Sequence, residues 1–266
     1  MSRLPFALLA VSALAACATT GEGAGGQATQ QNAVNAPAPR GVDRAARERI
    51  GREDMLTQMA FWASEYNTFP NDLEAAQRFA ESLRLGGRND RAVQTAGEAL
   101  RRFPDDKPLL LTFGLAQLGQ NNAQAALRPL ALVAASDPQN WRARSALGVA
   151  LDQLGRYDEA RQAYQEALAL RPNDPAVLTN LGMSHLISGD PAEAEQVLRQ
   201  AVSLPGAPPQ ARLNLAVAVA LQGRFDEAER LERADLPAAA AQSNMTYLRG
   251  LLSDPRSWRD LGGSRS

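Results

Sequence analysis

Four prolines recur at a constant spacing of 34 residues through the middle of the chain: Pro70, Pro104, Pro138 and Pro172. If this proline is numbered position 32 of a repeating unit, units begin at residues 73, 107, 141, 175 and 209. A fixed period of this length indicates one supersecondary unit stacked several times, because a single small unit cannot bury its apolar face alone. The spacing therefore predicts a stacked array of repeats.

Small residues recur at two further positions of the unit. Position 8 is glycine or alanine and position 20 is alanine in all five units: Ala80, Gly114, Gly148, Gly182 and Ala216, then Ala92, Ala126, Ala160, Ala194 and Ala228. Small side chains let two antiparallel helices approach closely, and a glycine at position 15 of four units supplies the turn between them. Proline after the second helix ends it because proline has no amide donor. Each unit is therefore predicted to be a helix hairpin.

With Leu-Gly at positions 7 and 8, alanine at 20, the aromatic Tyr164 at 24 and proline at 32, the pattern resembles the tetratricopeptide repeat. The third unit, WRARSALGVALDQLGRYDEARQAYQEALALRPND, matches nearly throughout. The resemblance implies an all-α fold, a right-handed superhelical solenoid of helix hairpins. Its units are expected over 73–106, 107–140, 141–174 and 175–208, with a degenerate fifth over 209–236. Capping helices are expected over 42–72, a C-terminal helix over 237–252 and a disordered tail over 253–266.

The charge and the rarity of cysteine and histidine exclude several classes of protein. The formal net charge of −1 lacks the basic excess that favours nucleic-acid binding, so we expect no nucleic-acid partner. One cysteine permits no internal disulfide, and one cysteine with one histidine cannot build a Cys/His zinc site. We expect neither a metal nor a cofactor.

The sequence also offers no convergent acid, base and nucleophile, and we expect no enzyme. His185 stands alone at position 11 of the fourth unit, where packing or surface exposure explains it. The carboxylate pairs Asp158-Glu159 and Asp226-Glu227 recur where the second helix begins and complement a helix N-terminus. Asp105-Asp106 lies in an inter-repeat turn, and Gly25-Gly26 has no strand or helix signature around it that would indicate a phosphate loop.

The single cysteine ends a short apolar segment at the N-terminus. Arg3 precedes an apolar stretch of 13 residues, Leu4 to Ala16, which is too short to span a bilayer of ~30 Å. The stretch has the dimensions of a secretory signal and ends in Leu14-Ala15-Ala16-Cys17, which resembles the lipobox of bacterial lipoproteins. The resemblance implies a signal peptide over 1–16 and a covalent lipid on Cys17. A small buried cysteine is the open alternative.

Residues 17–41 are predicted to form a lipidated, flexible tether. They are rich in glycine, alanine, glutamine and proline without periodicity, and such a segment cannot bury enough apolar surface to fold. Ala18 follows the cysteine where aspartate resembles an inner-membrane retention signal. We therefore expect attachment to the outer membrane on its periplasmic side, through the lipid anchor only.

In tetratricopeptide proteins the concave face is lined mainly by the first helix of each repeat. From the second unit onward the matching positions are largely apolar, and two asparagines occupy position 6. The expected peptide-binding groove consists of Leu111, Leu115, Leu118, Val149, Asn180, Met183, Leu186, Leu213, Asn214 and Val217. An apolar surface of this kind favours a protein partner. The open alternative is that these side chains pack against neighbouring first helices.

A lipobox, a tether and a compact array together resemble small outer-membrane assembly lipoproteins, most closely the TadD-like lipoproteins of Flp/Tad pilus assembly. The closing segment DLPAAAAQSNMTYLRGLL carries the narrower resemblance. It implies a pilotin-like role in which the partner is a secretin or another pilus-assembly component. The alternative is a general cell-envelope scaffold for outer-membrane protein assembly or type IV pilus biogenesis.

Overall fold

A computed structural model describes residues 43–253 of the 266-residue chain, and this part contains thirteen α-helices and no strand. The helices are α1 (Arg44–Ile50), α2 (Met55–Thr68), α3 (Leu73–Leu85), α4 (Asn89–Leu100), α5 (Lys107–Gly119), α6 (Ala123–Ser136), α7 (Trp141–Gln153), α8 (Tyr157–Leu170), α9 (Pro175–Ile187), α10 (Pro191–Ser203), α11 (Pro209–Leu221), α12 (Phe225–Glu232) and α13 (Ala238–Ser253). The predicted signal, Cys17 and its tether, and residues 254–266 lie outside the described residues.

Consecutive helices from α3 to α12 pack in pairs, as five hairpins that follow one another along the chain. The first helices of the hairpins also lie side by side, from α3 through α5, α7 and α9 to α11, and α13 packs on α11 and α12. The prediction of an all-α solenoid of helix hairpins is confirmed. None of the helices within residues 43–253 has the length and hydropathy needed to cross a bilayer.

The last residue of one repeat caps the first helix of the next. The side chains of Asp72, Asp106, Asn140 and Asp174 each accept a hydrogen bond from the backbone N–H three residues later, at 2.9–3.2 Å. Such a cap satisfies a helix donor that has no partner within the helix. Pro208 precedes α11 without a side-chain cap. A recurring Asp or Asn at position 34 therefore sets where each first helix begins.

The turn inside each hairpin is also repeated. Its position 15 is left-handed in every repeat, as glycine in four and as Asn121 (φ 57°) in the second. The next backbone N–H then reaches back to a carbonyl five residues earlier, as from Arg156 to Leu151 at 2.9 Å. This bond closes the C-terminus of the first helix in the manner of a Schellman motif. Asparagine tolerates this conformation better than most residues, which explains why the second repeat forms the same turn without glycine.

The glycine at position 8 makes room for the large residue at position 24 of the same repeat. Added Cβ atoms on Gly114, Gly148 and Gly182 would lie 2.6, 2.6 and 2.5 Å from the nearest carbons of Leu130, Tyr164 and Leu198 respectively. These three large side chains are buried. In the first repeat both positions are alanine, Ala80 and Ala96, and both are fully buried. In the second, third and fourth repeats, glycine at position 8 therefore makes the space that the large residue at position 24 fills.

The N-terminal end is a shortened repeat. Helix α1 corresponds to positions 6–12 of a unit beginning at residue 39, and α2 supplies its second helix with Trp62 at position 24. Arg47, 9% exposed, donates to Glu65 at 2.7 Å, to Asp72 at 2.9 Å and to Glu74 at 3.0 Å. This guanidinium also lies over the ring of Trp62, 5.5 Å from its centroid. One arginine thus joins α1 to α2 and to the start of α3.

At the other end, the fifth repeat departs from the pattern at position 24, where Glu232 stands in place of a large apolar residue. Helix α12 ends at this residue after eight residues, and the Glu232 side chain is buried beside α13. It accepts a hydrogen bond from the amide of Asn244 at 3.0 Å. Met245, 1% exposed, completes the apolar core of this end, and Leu248 packs against that core.

Candidate functional site

The ten side chains predicted to line the groove all belong to first helices. They are Leu111, Leu115 and Leu118 on α5, Val149 on α7, Asn180, Met183 and Leu186 on α9, and Leu213, Asn214 and Val217 on α11. Because first helices lie side by side, equivalent positions form rows along one face of the array. Whether these side chains belong to the apolar core clusters divides the face into two parts.

The part formed by α5 and α7 is largely occupied by its own packing. Leu118 is 8% exposed and belongs to the buried core of the second and third repeats. Leu111, Leu115 and Val149 are half-buried and pack against the same core. For this part of the face, the alternative of self-packing describes the structure.

The part formed by α9 and α11 contains apolar side chains that lie outside the core clusters. Met183, Leu213 and Val217 are half-buried, and they belong to none of the apolar clusters formed by residues 43–253. Leu186 instead packs against the core of the last two repeats. We name the three open side chains, together with Asn180 and Asn214, the α9–α11 patch.

The two asparagines of the α9–α11 patch have hydrogen-bonding capacity to spare. Both are half-buried, and their side-chain amides make no hydrogen bond within the described part of the chain. An asparagine amide offers both a donor and an acceptor, as a peptide backbone does. The patch therefore combines open apolar surface with two groups that can bond to an extended or helical main chain.

The first repeat presents a polar face at the corresponding positions. Glu81 and Arg84 form an ion pair at 2.7 Å, and the hydroxyl of Thr112 donates to Glu81 at 3.2 Å. Gln77 donates to Asp106 at 2.8 Å. Along the array the face therefore changes from charged at α3 to apolar with free amides at α9 and α11.

Asp152, at position 12 of the third repeat, has a role that the sequence reasoning missed. Its carboxylate accepts hydrogen bonds from the Tyr164 hydroxyl at 2.8 Å and from the Ser184 hydroxyl at 2.7 Å. Burial raises the pKa of Asp152, although both bonds act in the opposite direction. The network joins α7, α8 and α9, so Asp152 holds two repeats together.

Burial and ion pairs account for the other titratable residues that the sequence analysis singled out. His185 is half-buried; burial lowers its pKa, and the charge of Arg161 lowers it further. Asp158 and Glu159 lie in the first turn of α8, where they pair with Arg161 and Arg156. Within residues 43–253 no three histidine, cysteine, aspartate or glutamate side chains converge as metal ligands.

Comparison with known proteins finds similarity to tetratricopeptide repeat proteins. The tetratricopeptide repeat family model matches residues 111–175 and 179–244. The curated "TPR repeat-containing protein PA4667" of Pseudomonas aeruginosa is 36% identical over 116 residues, which are 43% of this chain and 20% of that protein. The "Uncharacterized protein y4yS" of Sinorhizobium fredii is 30% identical over 119 residues, 45% of this chain and 64% of that protein.

Among solved structures, the tetratricopeptide repeat protein TTC0263 of Thermus thermophilus shares the fold. It has a TM-score of 0.58 and 23% identity, and the match covers 67% of this chain and 99% of that one. The chain spans less than two thirds of both curated relatives named above. Residues 111–175 and 179–244 match the tetratricopeptide repeat family, and the fold is that of a tetratricopeptide repeat solenoid. Repeats of this family generally mediate protein–protein interactions.

Proposed function

We propose that this protein is a lipid-anchored, non-enzymatic interaction module that binds a segment of a protein partner along its first-helix face. The α9–α11 patch is the observation that carries this proposal. Its half-buried Met183, Leu213 and Val217 provide apolar contact, while the unbonded amides of Asn180 and Asn214 can pair with the partner's main chain. The partner segment is accordingly an amphipathic helix or an extended peptide with apolar side chains.

We further propose that the partner belongs to the Flp/Tad pilus system, most simply its secretin, and that the role is pilotin-like. The support is the resemblance of the lipobox, tether, array and closing segment to TadD-like lipoproteins. Acylation of Cys17 would fix the protein to the periplasmic side of the outer membrane. The tether of about two dozen residues would then give a reach of roughly 25–30 Å. Tethering raises the effective concentration of the groove near the membrane, so a modest affinity suffices.

The anchor is tested by Cys17→Ser in the organism that encodes the chain. We expect the variant to leave the outer-membrane fraction and to reduce secretin multimers. If the variant still fractionated with the outer membrane and supported secretin multimers, the anchored pilotin role would be wrong. A secretin, a secretion ATPase and a small pilin encoded beside the gene would support the pilus system independently.

The α9–α11 patch is tested by affinity capture with a double charge substitution, Met183→Glu with Val217→Glu. Leu132→Glu is the matched control, because Leu132 is an exposed leucine, 47% accessible, on the second helix α6. We expect the double variant to lose the secretin and the control to retain it, with both variants folded by circular dichroism. Retention of the secretin by the double variant would contradict the proposal. Capture of a different envelope-assembly protein would favour the general scaffold over the pilus role.

A further inference from the structure

A cavity of about 560 Å³ lies at the N-terminal end of the first-helix face, between α1, the start of α2 and α3. No Cα of α1 comes within 8 Å of a Cα of α3, although the other neighbouring first helices do approach one another to this distance. The gap between α1 and α3 is bridged by Arg47 through its bonds to Asp72 and Glu74. The shortened N-terminal unit of α1 and α2 thus leaves a wedge whose volume is in the ~300–1,000 Å³ range of ligand sites.

One wall of the wedge is apolar. Ile50 and Trp62 are buried behind this wall, whereas the side chains of Met55 and Leu85 are 37% and 54% exposed. Met55 and Leu85 are two of only six large apolar side chains that are exposed within residues 43–253. Exposed apolar side chains that converge on a concave site, rather than being scattered singly, mark a surface for a partner.

The charges of the wedge leave two arginines without partners. Glu74 pairs with Arg47, and Glu81 pairs with the neighbouring Arg84 outside the wedge. Arg44 and Arg78 make no ion pair within the described part of the chain. Glu48, the third carboxylate that lines the wedge, makes none there either. Arg47 is shared by three carboxylates, so Arg44 and Arg78 are the two guanidiniums of the wedge that remain available to a ligand. Guanidinium binds carboxylate with matched geometry, which favours an acidic group at these two side chains.

The wedge continues the face that carries the α9–α11 patch. Arg78 occupies position 6 of its repeat, the position that Asn180 and Asn214 occupy in the fourth and fifth repeats. A chain lying along the first helices would therefore reach the wedge from the groove. This continuity favours a peptide over a free small molecule as the occupant.

We propose that the wedge binds an acidic–apolar segment of the protein partner, with an apolar side chain against Met55 and Leu85 and carboxylates at Arg44 and Arg78. This inference rests on the proposed partner binding and adds the chemistry of one end of the bound segment. It predicts that the partner carries an aromatic or aliphatic residue flanked by aspartate or glutamate, beside the more apolar part that binds the α9–α11 patch.

The test is fluorescence anisotropy with the full-length protein in mild detergent and a labelled peptide, GSDLFDSG. Two control peptides test the need for acidic and for apolar side chains separately. GSKLFKSG reverses the charges, and GSDAADSG removes the apolar side chains. Two pairs of protein variants test whether the peptide binds at the wedge rather than elsewhere on the protein. Arg44→Glu with Arg78→Glu is compared with Arg128→Glu, an exposed arginine of α6 without an ion pair. Leu85→Ser is compared with Leu56→Ser, since Leu56 is 71% exposed and does not line the wedge.

We expect saturable binding of GSDLFDSG and at least about tenfold weaker binding of either control peptide. The double arginine variant should weaken binding about tenfold and Leu85→Ser about threefold, with both controls close to the wild type. Absence of binding to the wild-type protein, equal binding of GSKLFKSG, or equal losses in the control variants would overturn the inference. The outcome is distinguishable from failure of the proposed function, because capture of the secretin depends on Met183 and Val217 and is measured separately.

Discussion

The ring of Tyr164 occupies the space in which a side chain on Gly148 would begin. An added Cβ on Gly148 would lie 2.6 Å from Cε1 and 2.8 Å from Cζ of the ring. The ring has little freedom to retreat, because its hydroxyl donates to Asp152 at 2.8 Å and the side chain is 1% exposed. The contact between α7 and α8 is therefore fixed on both sides.

Gly148→Ala is accordingly expected to lower the free energy of unfolding by about 1–3 kcal/mol, the usual cost of overpacking a rigid core. Urea denaturation followed by circular dichroism measures it. Gly250→Ala is the matched control: it lies in helix α13, and an added Cβ there meets no atom within 4 Å. Alanine should leave stability unchanged or raise it by up to about 1 kcal/mol at this position. Equal effects of the two substitutions would contradict the assigned packing.

Ser184→Ala should reveal the Asp152 network through a pH-dependent loss of stability. Ser184 is fully buried and its hydroxyl donates to the Asp152 carboxylate, so it opposes the rise that burial causes in the pKa of Asp152. Without this bond the folded-state pKa of Asp152 rises further. The ionised carboxylate then costs more free energy in the folded state, so the loss of stability grows as the pH rises through the raised folded-state pKa of Asp152 and is smaller in acid.

We expect a cost of about 1–2 kcal/mol at neutral pH for Ser184→Ala, in unfolding measured at a series of pH values. Ser82→Ala is the control, because Ser82 is also buried but donates to the backbone carbonyl of Phe79 at 2.9 Å. The loss of unfolding free energy caused by Ser82→Ala should not vary with pH. A pH-independent cost for Ser184→Ala would show that the bond to Asp152 contributes little.

Arg47→Ala is expected to release α1 while the central repeats stay folded. Glu65 and Asp72 would lose their common partner, which lowers the free energy of local opening by roughly 1–3 kcal/mol. Burial alone would raise the pKa of Asp72, but its bonds to Arg47 and to the Ala75 amide outweigh this and lower it. The ion pair therefore stabilises the fold above the usual pKa of aspartate, and this stabilisation is lost as the pH falls through the lowered pKa of Asp72.

Hydrogen exchange of the α1 amides, compared with those of α7, measures this release. The control is Arg49→Ala, since Arg49 is exposed on the same helix and makes no ion pair within residues 43–253. Faster exchange in α1 for Arg47→Ala alone supports the assignment. If both variants exchanged alike, Arg47 would not be the residue that fastens α1.

Glu232→Gln is expected to stabilise the C-terminal end at neutral pH. Burial raises the pKa of Glu232, and the charge of Glu229 raises it further, while the bond from Asn244 opposes the change. A raised folded-state pKa means that wild-type stability falls as the pH rises through it. Glutamine keeps an oxygen for Asn244 and carries no charge, so its advantage should grow with pH and vanish below the usual pKa of glutamate.

Thermal unfolding at several pH values, monitored for wild type and Glu232→Gln, measures that difference. Glu53→Gln is the control, because Glu53 is exposed in the turn before α2. The variant at Glu53 should follow the wild-type curve. A constant offset for Glu232→Gln at all pH values would mean that the carboxylate is not the source of the effect.

The hairpin fold was predictable because its determinants are local and periodic. Glycine at position 15 and the small residue at position 8 recur in the sequence, and each answers a local geometric need in the structure. The capping residue at position 34, such as Asp106, recurs in the sequence as well and marks where each first helix begins. Asn121 shows how one position can serve the same turn with a different residue.

The site was less predictable because it depends on which side chains the packing consumes. Leu118 and Met183 both belong to apolar rows of first helices, yet Leu118 lies in a core and Met183 remains half-buried outside the described clusters. The wedge beside α1 arises from the splay of one short helix, which no periodic pattern encodes. Nothing in the sequence distinguishes Arg47 from the other arginines, since its three carboxylate partners come from two helices and a turn that only the fold brings together.

The packing of position 8 against position 24 also limits how recombination can change such arrays during evolution. A duplication that copies a whole hairpin carries both members of the pair and preserves the fit. An exchange with the first repeat that joins α7 to α4 would place Gly148 opposite Ala96, leaving a void, and its reciprocal would press Ala80 against Tyr164. The second, third and fourth repeats all pair glycine with a large residue, so recombination inside a hairpin is restricted between the first repeat and these three, which can exchange helices with one another and keep the fit.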